Sequence, residues 1–231
     1  MAGNNIFVLK EKQIESEGIS TLKFFPESGK IFSFKPGQFV TVKVGAVIKA
    51  YTITSSVGDN FLALTIKRLG NFSNALCDLE IGGEIEVSGP FGDFCPSDDG
   101  KDIVFLAGGI GVTPFYCFIK NSIKAGDFNK NIFLFYSNRT LKDAAFFEEL
   151  NNFIRKHSGL RVIYVFTREK DKISFPAEQG RMNMEILKKH LGSLENKNYF
   201  ICGPSEMVNE LGGQLKTAGI GGGSVKTEAF F

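Results

Sequence analysis

The sequence predicts two domains: an N-terminal antiparallel β-barrel with one helix, then a C-terminal α/β domain built on a parallel sheet. Three observations carry this. Six short runs, often alternating apolar and polar and separated by Gly, Pro, Ser and Asp, occupy the first 98 residues; that spacing suits a small barrel. Beyond them, strand and helix patterns alternate, which implies crossover helices packed on a parallel sheet. Between the two patterns, Cys95-Pro96-Ser97-Asp98-Asp99-Gly100-Lys101 reads as a polar linker, so the expected domains are 1–98 and 99–231.

The barrel strands are expected at 5–10, 21–25, 38–43, 51–54, 61–67 and 84–87. One helix interrupts them at 73–79, with Ser73 as its N-cap, because a serine hydroxyl there accepts from a first-turn amide. In the second half, strands are expected at 103–107, 131–136, 161–166, 199–202 and 225–228, with helices starting near Thr113, Asp143, Asn183 and Ser205. Phe146, Phe147, Leu150, Phe153 and Ile154 recur at helical spacing and read as core. The glycine-rich stretch 219–224 reads as a loop, since no strand precedes it.

Composition narrows the function. With 231 residues and 43% hydrophobic content at a mean hydropathy of −0.01, the chain is an ordinary globular protein. No apolar run reaches the roughly 18–20 residues of a membrane span, and the N-terminus lacks a charged-then-apolar leader pattern, so the cytoplasm is the expected location. The four cysteines, Cys77, Cys95, Cys117 and Cys202, are spaced by 18, 22 and 85 positions. That spacing fits neither a zinc clip nor a plant-type iron–sulfur cluster. The net charge of +2 divides unevenly: residues 1–98 carry 9 Lys+Arg against 11 Asp+Glu, and residues 99–231 carry 18 against 14. No basic cluster points to nucleic acid, while a mild positive bias in the second half suits a polyanionic cofactor.

Phe105-Leu106-Ala107-Gly108-Gly109-Ile110-Gly111-Val112-Thr113-Pro114 is the most specific stretch. An apolar strand enters a glycine-rich turn and then a helix. Glycines let the backbone approach a pyrophosphate, and the free amides of the helix start attract its charge. The parallel-sheet domain is therefore expected to bind a dinucleotide through Gly108, Gly109, Gly111, Thr113 and Pro114. The strand 131–136 is followed by Ser137-Asn138-Arg139-Thr140, with no acid before Asp143, and Arg168 follows the next strand. An acid at this place would hold a ribose hydroxyl, whereas a 2′-phosphate needs cations, so NADPH is favoured over NADH.

Lys35-Pro36-Gly37-Gln38-Phe39-Val40, Lys49-Ala50-Tyr51-Thr52-Ile53-Thr54-Ser55, Gly70-Asn71-Phe72-Ser73 and Gly89-Pro90-Phe91-Gly92-Asp93-Phe94 precede the glycine turn; Cys202-Gly203-Pro204 and Thr227-Glu228-Ala229-Phe230-Phe231 follow it. In this order they resemble the ferredoxin-NADP reductase superfamily of flavoproteins over nearly the whole chain. The resemblance implies FAD, with FMN the alternative, held by Tyr51 on the ring, by the Thr52 hydroxyl at the ring edge and by Lys49, where the family usually carries Arg. Lysine keeps the charge but loses the planar fork. Gly70, Phe72 and Ser73 are implied at the flavin phosphates, and Ile66 belongs to the same set. Ser137, Arg139, Arg168, Gly203 and Pro204 join the glycine turn around the nicotinamide coenzyme. Cys202 and Glu228 are implied beside the meeting point of nicotinamide and flavin, making Thr52, Cys202 and Glu228 the catalytic set. Phe230 or Phe231 is implied to cover the flavin, and which of the two does so stays open. The resemblance further implies hydride transfer from NAD(P)H to flavin and electron delivery to a separate acceptor such as ferredoxin or flavodoxin. Alternatives are a reductase of free flavin or an electron-transfer subunit of a larger oxygenase or dehydrogenase complex.

Overall fold

The computed structural model describes residues 5–96, 99–126 and 130–230. In the first half, β1 (Asn5–Ser16), β2 (Ile19–Pro26), β3 (Phe39–Val44), β4 (Val47–Thr52), β5 (Leu62–Lys67) and β6 (Glu84–Phe91) form an antiparallel sheet in the order β4-β3-β6-β1-β2-β5. Beyond β4, Ile53 bridges Leu64 of β5, and the Thr54 amide donates to the Ala63 carbonyl at 2.9 Å. The sheet thereby closes on itself. Phe7, Leu9, Leu22, Phe24, Val40, Val42, Leu64 and Val87 are fully covered and fill the barrel. β4 begins earlier than expected, because its exposed residues 47–50 do not alternate between apolar and polar.

The barrel's helix, α1 (Asn71–Asp78), also starts earlier than expected. Gly70 is the N-cap residue and Ser73 sits at the third helical position. The Ser73 hydroxyl folds back, accepting from the amides of Leu69 at 2.9 Å and Gly70 at 3.1 Å while donating to the Gly70 carbonyl. It thus braces the turn before the helix and leaves the first-turn amides to face outward.

In the second half, β7 (Asp102–Gly108), β8 (Ile132–Asn138), β9 (Leu160–Phe166), β10 (Glu178–Gln179), β11 (Lys197–Gly203) and β12 (Val225–Ala229) make a parallel sheet ordered β10-β9-β8-β7-β11-β12. Helices α2 (Thr113–Ala125) and α3 (Phe147–Lys156) pack on one face, where Phe115 and Leu150 meet Phe105 and Leu134. On the other face, α4 (Met184–Leu191) and α5 (Ser205–Thr217) press Leu187, Val208 and Leu211 against Leu106 and Phe135. α3 starts four residues after the expected Asp143, which instead lies in a 3-10 turn with its carboxylate accepting from the Thr140 amide and hydroxyl at 3.0 and 2.7 Å. β10 was not anticipated, since two residues carry no periodicity. The expected boundary at 98–99 falls at Asp98, outside the described residues.

The glycine turn is fixed by close approach. A Cβ on Gly111 would lie 2.3 Å from the Cys202 carbonyl oxygen, a backbone atom that has no side-chain freedom to yield. Gly109 takes φ +53, the left-handed conformation that turns β7 into the 3-10 turn before α2. We therefore expect Gly111→Ala to destabilise the fold by ~1–3 kcal/mol through overpacking. Thermal denaturation should report a drop of about 2–4 °C for each kcal/mol; an unchanged melting temperature would show that β11 can retreat at no cost.

Candidate functional site

A cleft of about 910 Å³ opens between the two sheets, within the range of pockets that bury a small organic molecule. The barrel contributes Phe39, Lys49, Tyr51, Thr52, Thr65, Lys67, Leu69 and the start of α1 at 70–73. The second domain contributes Ile110, Thr113, Glu228, Ala229 and Phe230. Six of the expected flavin residues, Lys49, Tyr51, Thr52, Gly70, Phe72 and Ser73, thus share one wall.

Each is placed by its element. Tyr51 and Phe72 lie nearly parallel, 6.2 Å apart at 16°, making an aromatic wall of the cleft. Burial pushes the Tyr51 hydroxyl up to about 12, so it stays protonated. Thr52 ends β4 opposite Phe39. It is 8% exposed, and among the described residues its hydroxyl has no hydrogen-bond partner. Thr65 forms the floor, its hydroxyl 3.0 Å from that of Thr54 and 2.8 Å from that of Thr21. Lys67 and Lys49 bring two positive charges to the rim near the outward amides of α1.

Sequence reasoning misplaced Ile66. Its side chain is 1% exposed and packs in the barrel core. Strand residues alternate in direction, so its neighbours Thr65 and Lys67 are the ones that face the cleft. Those two, with Phe39, Leu69 and Ile110, went unread; the period-two rule applied from Thr52 across to β5 was the signal that would have found Thr65 and Lys67.

On the opposite side, Thr113 donates its hydroxyl to the Ile110 carbonyl at 3.0 Å, and Pro114 supplies the preset φ of a first helical turn. Glu228 on β12 pairs in register with Cys202 on β11. Glu228 lines the cleft with no ion-pair partner among the described residues, and burial followed by the nearby Asp93 charge raises its carboxyl to about 7. Cys202 is fully covered in the sheet core and does not reach the cleft wall. Burial and the Glu228 charge push its thiol well above the usual range, so it is a neutral packing group. The Phe230 amide donates to the Gly203 carbonyl at 2.8 Å, which ties the chain end across β11. Phe231 lies outside the described residues.

The remaining residues of the second domain form an edge next to the cleft. Gly108 pairs with Ser137, and Ser137 with Val165. Just beyond, the Arg168 amide donates to the Arg139 carbonyl at 2.8 Å, setting two exposed arginines side by side at the carboxyl ends of β8 and β9. Gly203 and Pro204 lie against Gly108. Gly109, Gly111, Arg139, Arg168 and Pro204 therefore stand outside the cleft proper, along the sheet edge where a parallel-sheet domain binds its ligand.

The donor set of the barrel wall, an aromatic wall with two lysines and open helix amides, suits a flavin with its phosphates. Fold and site together define a two-domain oxidoreductase with one dinucleotide site on a barrel and one on a parallel sheet. Residues 6–95 match the oxidoreductase FAD-binding domain and residues 105–211 the oxidoreductase NAD-binding domain. The chain belongs with the oxidoreductases that join an FAD-binding domain to an NAD-binding domain, the two matches together spanning most of its length. It is 31% identical to the glycine betaine monooxygenase reductase subunit of Chromohalobacter salexigens, over 94% of this chain and 61% of that protein. It is 30% identical to the ferredoxin reductase component of 3-ketosteroid-9-alpha-monooxygenase from Rhodococcus rhodochrous, over 86% of this chain and 56% of that one. The chain thus spans about three fifths of these relatives. The flavohem-like FAD/NAD-binding domain of nitric oxide dioxygenase from Vibrio cholerae shares the fold, with a TM-score of 0.87 at 22% identity over 100% of this chain and 99% of that one. No helix among the described residues is long and apolar enough to cross a membrane.

Glu228 gives a pH signature. With its carboxyl raised from 4.5 to about 7, the folded chain keeps a proton that the unfolded chain has released across that window. Folding then takes up a proton there, so this group's contribution to stability falls as pH rises from 4.5 to about 7 and is constant above. Glu228→Gln removes the titration. Its melting temperature relative to wild type should rise between about pH 5 and about pH 8; a parallel pair of curves would mean that Glu228 is solvated and ordinary.

Proposed function

We propose that this chain takes hydride from NADPH onto FAD held in the barrel cleft and passes electrons to a separate protein acceptor such as a ferredoxin or flavodoxin. Bound flavin supplies the exchange between a two-electron donor and one-electron acceptors. The protein's part is alignment. Carrying the reading is one observation: Thr52, a largely covered residue whose hydroxyl has no protein partner among the described residues, faces a cleft whose other side bears Thr113 and Glu228. A hydroxyl held on the cleft wall by a strand and engaged by no protein group can donate to or accept from a ligand atom. Tyr51 and Phe72 give the ring an apolar seat, and Lys49 and Lys67 supply positive charge for phosphate. Glu228, poised near neutrality, can hold or release a proton at the cleft's second wall. Relatives that are reductase components of monooxygenases support delivery to a separate acceptor.

Anaerobic titration of the purified protein with NADPH and with NADH, read by flavin absorbance, tests the reading. Stoichiometric flavin retained through purification and bleached by NADPH is expected; protein that purifies without flavin would instead favour a reductase of free flavin. Thr52→Ala should slow flavin reduction about tenfold, since one buried hydrogen bond is worth ~1–3 kcal/mol. Unchanged reduction in stopped flow, with unchanged flavin affinity, would remove Thr52 from the mechanism.

Coenzyme preference follows from the paired arginines. Arg139 and Arg168 are exposed, adjacent and without an acidic partner among the described residues, which suits a 2′-phosphate. Replacing both with Leu is expected to raise KM for NADPH far more than for NADH. Equal loss for the two coenzymes would show that the arginines act on the fold alone.

A further inference from the structure

The loops after β8 and β9 carry Arg139 and Arg168, and an acid, Glu169, directly follows the second arginine. Its carboxylate is engaged by backbone amides from both loops. One oxygen, Oε2, accepts from the Leu141 amide at 2.7 Å; the other, Oε1, accepts from the amides of Lys170 at 2.9 Å and Asp171 at 3.0 Å. These bonds, that of Leu141 foremost, hold the carboxyl below the usual carboxylate range. The paired register of β8 and β9 runs out at Asn138 and Phe166. Two backbone bonds extend it as far as the arginines, from the Thr167 amide to the Asn138 carbonyl at 3.0 Å and from the Arg168 amide to the Arg139 carbonyl at 2.8 Å. Beyond that point the chains part, one entering the 3-10 turn Leu141–Asp143 and the other running on to β10. The Glu169 side chain makes the next link across, where the main-chain ladder has ended.

We propose that Glu169 is a positioning residue for coenzyme choice: by clasping the loop of Arg139 to the loop of Arg168, it sets the spacing at which both guanidinium groups reach one phosphate. The proposal rests on the reading of that pair as the 2′-phosphate site given above. Both arginines are exposed, so packing does not fix their side chains, and two flexible stems converge on one anion only when their backbones keep a set distance. The Arg168 to Arg139 backbone bond and the Glu169 clasp together set that distance. A carboxylate suits the clasp because it accepts on two oxygens, whereas a carboxamide has one acceptor oxygen and a nitrogen that only donates. The surrounding amide donors also offset part of the carboxylate's charge, which reduces its repulsion of an anion held by the neighbouring arginines.

Calorimetric titration of the purified flavin-loaded protein with adenosine 2′,5′-bisphosphate and with adenosine 5′-monophosphate tests this, because the two probes differ by the 2′-phosphate alone. Glu169→Gln removes the charge and leaves a single acceptor oxygen for the amides of both loops. Glu169→Asp keeps the charge but is one methylene too short to cross to Leu141. Both variants should weaken the bisphosphate about threefold to tenfold and leave the monophosphate within about twofold of wild type. The ratio of KM for NADPH to KM for NADH should rise by the same factor, with kcat unchanged. A bisphosphate affinity raised by Glu169→Gln and unmoved by Glu169→Asp would show that the carboxylate acts by repelling phosphate, which overturns the clasp. Equal weakening of both probes overturns it as well, since the loops then serve the adenosine or the fold. A bisphosphate affinity unmoved by either variant but lost when Arg139 and Arg168 are both replaced with Leu overturns the clasp and leaves the arginine reading standing. An affinity that survives the double replacement too overturns both.

Discussion

The cleft depends on two hydrophobic cores that interlock across the domain junction. Cys117, on α2 of the second domain, is buried among the side chains of the barrel core, while Ile19 and Phe94 from the first half are buried in the core beneath α2 and α3. Asn121, one turn after Cys117, clamps the seam: its carbonyl accepts the Val57 amide at 2.7 Å and its amide donates to the Cys117 carbonyl at 2.7 Å. Lys124 reaches Asp59 at 3.2 Å along the same line. A buried amide with both ends satisfied permits little sliding, since any shift leaves polar atoms unpaired in a dry interface. Walls contributed by different domains can then hold a fixed spacing.

That rigidity gives the chemistry of the cleft its contrast. Thr52 and Glu228 face it with polar groups that the protein does not satisfy, whereas Cys202, paired in register with Glu228 on the neighbouring strand, is sealed and protonated. Burial acts on both acids in the same direction, favouring the uncharged form. For Glu228, partly open to the cleft, the result is a carboxyl near neutrality; for Cys202, wholly enclosed, it is an inert thiol. The same strand pair therefore presents a proton-exchanging group and, one pleat inward, a packing atom that lets Gly111 come within contact of the backbone.

Much of this was legible in the sequence because the informative residues are punctuation. Gly108 and Gly111 announce a close approach and Gly109 a left-handed turn, and Lys49 through Thr52 and Gly70 through Ser73 sit at element ends, where side-chain chemistry is least masked by packing. What sequence could not give is direction. Ile66 and Thr65 are neighbours on one strand, and which of them faces the cleft follows from the barrel's closure at Ile53 and Leu64, a contact between distant segments. Ser73 likewise read as a cap because serine usually is one; the extended Gly70 before it takes that place, and the hydroxyl turns back to brace the loop. The arginine pair was read from the two strand ends separately, and its adjacency rests on the parallel register of β8 and β9.

On the proposed reading, Lys49 stands at the flavin phosphates where the resemblance implies an arginine. A guanidinium would bind a phosphate through two parallel bonds and fix its orientation; an ammonium gives a point charge on a flexible stem. In this chain the cleft wall spreads the positive potential over Lys49, Lys67 and the first-turn amides of α1, which the folded-back Ser73 hydroxyl leaves unoccupied. Amides on a helix end are oriented by the backbone and cost no side-chain entropy to hold in place. On the proposed reading, orientation of the phosphates passes from the side chain at 49 to the helix, and the lysines supply attraction. The barrel wall can then lose the guanidinium fork without losing the anchor, provided that Gly70 keeps its extended conformation and Ser73 its hydroxyl.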